Sequence, residues 1–277
     1  EVLRGPQKTL FGRNSPVGTI TELERRQVHS GLSGSHAYGR GNYNAETLRL
    51  TANVPIIKDH LAVRVSGGFS RDAGWADAYF GPYDGTPDQK GVNSAKNDDI
   101  RVVALLRPVD NVNIRAQYWH FRPRQDFTGF TASVDPPYFQ NTAGQDGFSN
   151  GSFTLWSLTA TVDFKAFTLT SATSNLEGVF GINIPLSPAG SFSSQFLPKM
   201  FAQEVRLNSS TECPLHWVVG GAYQNGKGPQ VNALVLPGLN INADNNTLSR
   251  NWAVFGEVSY DLLGGKLVEL VGLRTYH

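Results

Sequence analysis

The residue types able to ligate a metal or attack a bond are few in this chain, and badly spaced for either task. Six histidines (His29, His36, His60, His120, His216 and His277) fall singly along the sequence, whereas a metal site draws two or more ligands from a short spacing. The lone cysteine, Cys213, excludes an internal disulfide framework and any multi-cysteine zinc site. In GRNSPVGT (12–19) the glycines are spaced loosely like a phosphate loop, but no Lys follows Gly18 to reach the phosphate. Ser33, in SGLSGS, lacks the spacing of a nucleophile elbow and has no accompanying acid and base. The acidic stretches YDGTPDQ (83–89) and ADNN (243–246) could meet a cation or a sugar, although solvated loop carboxylates are the plainer reading. No catalytic residue, metal site or cofactor is expected.

Binding chemistry is better represented. Trp75, Tyr79, Phe80, Tyr83, Phe127, Phe130, Tyr138 and Phe139 lie in polar segments rich in Gly, Pro, Asn and Asp. Exposed rings in such connections can stack on a ligand, and loops on a rigid scaffold are where binding residues concentrate. A net charge of +1 and no run of Lys/Arg along the sequence give no footprint for a nucleic-acid partner. Charged residues make up 17% of the chain, below the roughly 25% of soluble domains.

The elements that must position these rings are strands. Strict alternation runs through the sequence, and helical spacing is hard to find. In LAVRVSGGF, Leu61, Val63, Val65 and Phe69 share one phase, with Arg64, Ser66 and Ser70 on the other. Leu48, Leu50, Ala52 and Val54 oppose Thr47, Arg49, Thr51 and Asn53; Val112, Ile114, Ala116 and Tyr118 oppose Asn113, Arg115 and Gln117. Eleven segments follow, at about 21–36, 42–55, 59–73, 97–107, 111–121, 153–164, 166–177, 199–209, 214–225, 250–262 and 266–277. No stretch approaches the ~18 consecutive apolar residues of a membrane helix, which leaves a membrane β-barrel open.

Alternation alone does not name the solvent on the apolar side, which in a soluble sandwich is the core and in a membrane barrel is lipid. Three features favour lipid. Tight turns (PIIKD, RPVDN, around Lys165, SSTEC, DLLGG) alternate with long connections at about 74–96, 122–152, 178–198 and 226–249, as on the two rims of an outer-membrane barrel. Trp156 and Phe164, and again Trp252 and Tyr260, lie eight residues apart on one phase. At about 3.3 Å per residue and a tilt near 45°, that is about 19 Å of height, close to the spacing of two aromatic girdles. The mid-strand charges Arg49, Arg64, Arg115, Glu204, Arg206 and Glu257 all fall on the polar phase, and only Glu269, near a tight-turn end, does not.

Residues 1–20, EVLRGPQKTLFGRNSPVGTI, resemble the end of the plug domain in TonB-dependent outer-membrane receptors, which typically reads EVLRGP, then L-[FY]-G-x-N and G-G-x-I. FAQEVRL (201–207) and AVFGEVSYDL (253–262) resemble strand motifs of the same family. Lys8 stands where a small residue is usual, and Pro16-Val17-Gly18 replaces the usual x-Gly-Gly. The resemblance implies an all-β fold: an antiparallel transmembrane β-barrel fragment, about 11 strands of a barrel of about 22, preceded by the tail of a plug. It divides the chain into residues 1–20, the C-terminal end of the plug, and residues 21–277, the N-terminal half of the barrel.

The same resemblance implies the partners and the place of work. They are outer-membrane lipid, the TonB energy transducer acting through a region upstream of Glu1, and a small-molecule cargo such as a ferric siderophore. Arg4, Gly5, Pro6, Gly12 and Arg13 become structural latch residues between plug and barrel. Trp75, Tyr79, Phe80, Tyr83, Phe127 and Tyr138 become cargo contacts. A passive porin-like or adhesin-like barrel would share the alternation but not the plug signature, and a soluble all-β binding domain would seal the apolar phase inside.

Overall fold

A chain that alternates in this way can cover only one of its two phases, and the computed structural model shows which. It describes residues 2–4, 18–20, 31–77, 85–126, 131–132, 139–140, 147–187, 190–210, 214–262 and 267–276. The strands are β1 (Val2–Arg4), β2 (Gly18–Ile20), β3 (Ser33–Arg40), β4 (Glu46–Ile57), β5 (Leu61–Asp72), β6 (Ala95–Leu106), β7 (Val112–Asp126) and β8 (Thr131–Ala132). They continue with β9 (Phe139–Gln140), β10 (Phe148–Asp163), β11 (Phe167–Ser187), β12 (Gly190–Phe196), β13 (Lys199–Ser209), β14 (Leu215–Leu236), β15 (Leu239–Leu262) and β16 (Leu267–Tyr276).

One antiparallel sheet of twelve strands contains β3–β7 and β10–β16, each paired with its sequence neighbour or the next in line. Strands β12 and β13 both pair with β11 on one side and β14 on the other. They therefore share one lane, and the wall has the eleven lanes that the alternation implied. Two small ladders stand apart from this sheet, β8 with β9 and β1 with β2. In the latter, Val2 faces Ile20 and Arg4 faces Gly18. Strand β1 ends at Arg4, immediately before the Gly5-Pro6 step, where Pro6 has no N–H for a ladder.

The register carries one phase across the whole sheet. Val65 pairs with Ala52 and Val102, Val102 with Tyr118, and Tyr118 with Trp156. On this phase Leu50, Ile100, Trp156, Leu158, Val205, Val219, Trp252, Val254 and Val258 are all exposed. The buried strand residues Asn53, Ala62, Val103, Gln117, Ala253 and Phe255 are on the opposite phase. Large apolar side chains are bare while an asparagine and a glutamine are covered. That inverts a water-soluble sheet and is the arrangement of a barrel wall whose apolar face meets lipid.

Two long connections expected at 178–198 and 226–249 are instead strand hairpins. Strand β11 continues to Ser187 and pairs with β12, and β14 pairs with β15 without a break from Leu215↔Tyr260 to Leu236↔Leu239. The Pro237-Gly238 turn closes the latter, with Gly238 at φ 75°. Their Gly, Asn and Pro content reads as loop, but the ladder continues beyond the span, where water tolerates polar side chains on both phases. The first lane also shifts: β3 begins at Ser33 and the turn after it occupies 41–45, not 37–41.

The opposite rim is short and tied down. Asp59 and Lys165 take φ of 64° and 67°. The Asp163 Oδ1 accepts the Lys165 N–H at 3.0 Å, and His60 Nδ1 lies 2.8 Å from the Arg107 carbonyl.

Close approach between lanes fixes one glycine on the inner phase. A Cβ on Gly68 would collide with the carbonyl oxygen of Leu48 and stand 3.1 Å from the Arg49 side chain. The bare backbone lets Arg49 cross to Asp99, Nη1 to Oδ1 3.7 Å, over the intervening strand. Gly68→Val is expected to destabilise the β4–β5 pairing by about 1–3 kcal/mol, the range for overpacking. Urea unfolding of the full-length protein in liposomes measures this, and an unchanged midpoint would contradict the close packing described here.

Candidate functional site

The inner phase of β6, β7 and β10 gathers aromatic rings where the lower part of the same phase carries polar groups. On β7 the inward series is Asn113, Arg115, Gln117, Trp119 and Phe121, and Phe121 pairs directly with Phe153 of β10. The Trp119 and Phe153 rings meet edge to face, centroids 4.8 Å apart at 87°. Phe121 stands 5.4 Å from Phe153 and 6.4 Å from Trp119. Contacts of this type contribute about 0.5–1.5 kcal/mol each beyond burial, so the three rings hold one another rigidly.

A cation is built into the cluster. Arg101 of β6 pairs across from Trp119; its Cζ lies 5.8 Å from the Trp119 ring centroid. Its Nη2 donates to Gln117 Oε1 at 3.0 Å. Toward the hairpin ends, bare glycines seat two more rings. Phe180 lies against Gly151 and Gly178, and Phe196 against Gly228, where an added Cβ would come within 2.7 Å of the Phe196 ring. The result is a patch of ring faces with a guanidinium at its lower margin. Such a surface suits planar, delocalised or anionic groups.

Above the wall, Trp75 is held at the foot of the connection between β5 and β6. The Trp75 and Ala76 N–H groups both donate to Asn93 Oδ1 at 2.7 Å, and Gly91 N–H donates to Asp77 Oδ1 at 3.1 Å. Asn93 is buried, whereas the Trp75 side chain is 44% exposed.

No protein-family model matches the chain. Solved structures do. The ferric yersiniabactin uptake receptor FyuA from Yersinia pestis superposes with a TM-score of 0.82 at 14% identity, over 100% of this chain and 47% of that one. The ferripyoverdine receptor of the outer membrane of Pseudomonas aeruginosa gives 0.78 at 10% identity, over 99% and 41%. The siderophore receptor PirA from Acinetobacter baumannii gives 0.66 at 12% identity, over 99% and 42%. This chain has the fold of an outer-membrane receptor barrel. It spans less than half the length of those three structures.

In a receptor-barrel wall the inner phase is the lumen face, which places Trp119, Phe121, Phe153 and Arg101 on the lumen side near the long-connection rim. Among the residues named from sequence as ligand contacts, Trp75 is at that rim. Tyr79, Phe80, Tyr83, Phe127, Phe130 and Tyr138 lie outside the described residues, as does the side chain of Phe139. Of the latch residues, Arg4 closes β1, its side chain outside the description, and Gly5, Pro6, Gly12 and Arg13 lie outside it entirely. The lumen cluster is what the sequence reading missed. Its signal was present: the polar phase of VNIRAQYWHF ends on Trp119 and Phe121, aromatic residues where the pattern calls for polar ones. Among the described residues no group of three His, Cys, Asp or Glu side chains converges.

Proposed function

We propose that this chain is the end of the plug (residues 1–20) and the N-terminal half of the barrel (21–277) of an outer-membrane receptor. The receptor takes up a scarce nutrient, a ferric siderophore, by TonB-energised active transport. The observation that carries this reading is the aromatic, cationic patch at Trp119, Phe121, Phe153 and Arg101 on the inner face of a receptor-barrel wall. Ferric chelates are commonly anionic and present planar chelating groups, the chemistry this patch accommodates. Arg4, Gly5, Pro6, Gly12 and Arg13 are the latch residues of this reading, and Glu204 and Glu257 project from the same inner phase lower down. The compared proteins are receptors, one of them a ferric yersiniabactin uptake receptor, and no enzymatic step is assigned to this chain.

The test is uptake in a strain lacking its own siderophore receptors and expressing the full-length protein. Saturable accumulation of a labelled ferric siderophore is expected, and it should vanish with a protonophore or without the transducer. Energy-independent entry of small solutes, with no saturable chelate binding, would replace this reading with a passive barrel.

A further inference from the structure

Within the membrane the inward phase of this wall is the polar one. Higher up, on the hairpins β11–β12 and β14–β15, the two faces change places. Ile184 pairs with Phe192, Phe192 with Leu234, and Leu234 with Ile241, four apolar residues in one row. The adjacent row, on the other face, is Asn183, Ser193, Ala233 and Asn242. Phe196↔Gln230 and Lys199↔Lys227 keep β12 and β13 in one frame on β14. The apolar row is therefore on the same inward phase as Glu204 and Arg206. Leu234 stands eleven residues beyond the girdle ring of Tyr223, about 26 Å higher at a tilt near 45°. Lipid does not reach an inward face at that level, so lipid does not account for the row.

The row is the top of a continuous apolar track. On β11 the inward series runs Leu176, Gly178, Phe180, Ile182, Ile184 without a polar residue, whereas below it runs Thr170, Ala172, Ser174. Leu176 pairs with Met200 and Leu155, and Leu155 with Trp119. The foot of the track is thus the ring patch beside Arg101. From Leu176 to Ile184 the track runs about 26 Å along the strand, the reach of a fatty acyl chain. Phe180 and Phe196 are each 38% exposed and Ile241 47%. Among the described residues each strand of the sheet touches only its sheet neighbours, and no other strand packs over this face.

We propose that the cargo is amphiphilic, an acylated chelate whose chelating head sits on Trp119 and Arg101 and whose aliphatic tail lies up this track to the Ile184–Ile241 row. The proposal rests on the reading of the Trp119 patch as the cargo site and names the class of cargo it takes. A wholly hydrophilic chelate is served by the patch alone and leaves the upper row bare to water. A free fatty acid could place its carboxylate on Arg101 but has no use for the stacked rings. A methylene covered on one side contributes about a factor of two, and ordering the tail gives part of this back.

The full-length protein in lipid nanodiscs is dialysed to equilibrium against the iron(III) complex of a tris-catecholate chelator carrying either a methyl amide or an octyl amide, with the uptake of empty nanodiscs subtracted. Wild type is expected to bind the octyl complex about 30-fold more tightly than the methyl complex. The Ile184→Asn/Leu234→Asn/Ile241→Asn variant should bring that ratio down to about threefold. Ala233→Asn/Val235→Asn, on the outward face of the same hairpin, should leave the ratio as it is in wild type. Resistance to SDS before heating reports that each variant barrel is folded. Equal binding of the two complexes by wild type, or an undiminished ratio in the triple variant, overturns the proposal. So does displacement of the octyl complex by equimolar octanoate, the mark of a fatty-acid site. Saturable binding of the methyl complex with no gain from the tail leaves the receptor reading standing and this one overturned, whereas binding of neither complex removes both.

Discussion

Replacing Val219 by Arg is expected to destabilise the folded wall by about 2–4 kcal/mol, whereas the same change one residue earlier, at Val218, is expected to be nearly neutral. Val219 is 43% exposed on the apolar phase. It pairs with Leu207 and Gly256, about midway between the rings of Trp217 and Tyr223 on its own strand. An arginine there must carry its charge into the hydrocarbon. Val218 faces the lumen and pairs with Glu257 and Asn208, so an arginine at that position finds a carboxylate and water. Urea-dependent unfolding of the full-length protein into and out of liposomes measures both changes. A soluble sheet with a sealed apolar face would suffer from Val219→Arg as well, but would aggregate without detergent. Equal effects at 218 and 219 would remove the phase argument on which the membrane reading stands.

That pair of neighbours also shows what the sequence could and could not convey. The phase of nearly every strand was legible, because a single misplaced charge in lipid costs more than most packing errors and selection keeps it on the other side. Arg49, Arg64, Arg115, Glu204, Arg206 and Glu257 all lie where alternation put them, and Glu269, paired with Tyr260, is outward as the pattern required. The hairpin extensions were not legible. Past the membrane both phases of β14 and β15 meet water, so the alternation that marks a strand fades while the ladder continues.

The lumen cluster was illegible for another reason: its rings stand on the polar phase, where attention to charge passes over them. Functional residues are where local rules break, and Trp119 breaks the rule of its own strand.

Trp119→Ala is accordingly expected to weaken binding of the ferric siderophore by about 30-fold, or ~2 kcal/mol, the scale of an aromatic anchor lost from a rigid interface. Trp119 is packed edge to face on Phe153 and capped by Arg101, so its ring is preorganised and little entropy is lost when a ligand stacks on it. Trp75, exposed and carried on a connection, should contribute less, with Trp75→Ala costing about fivefold on the same scale. Trp119→Phe keeps a ring face and should recover most of the loss. Arg101→Lys keeps the charge but not the planar fork over the ring; it should weaken binding of anionic chelates more than neutral ones. Quenching of tryptophan fluorescence by labelled chelates would be confounded by removing tryptophans, so the dissociation constants are best taken from equilibrium dialysis. An unchanged constant for Trp119→Ala, in a variant that still migrates as a folded barrel, would move the binding surface off the wall and back to the loops.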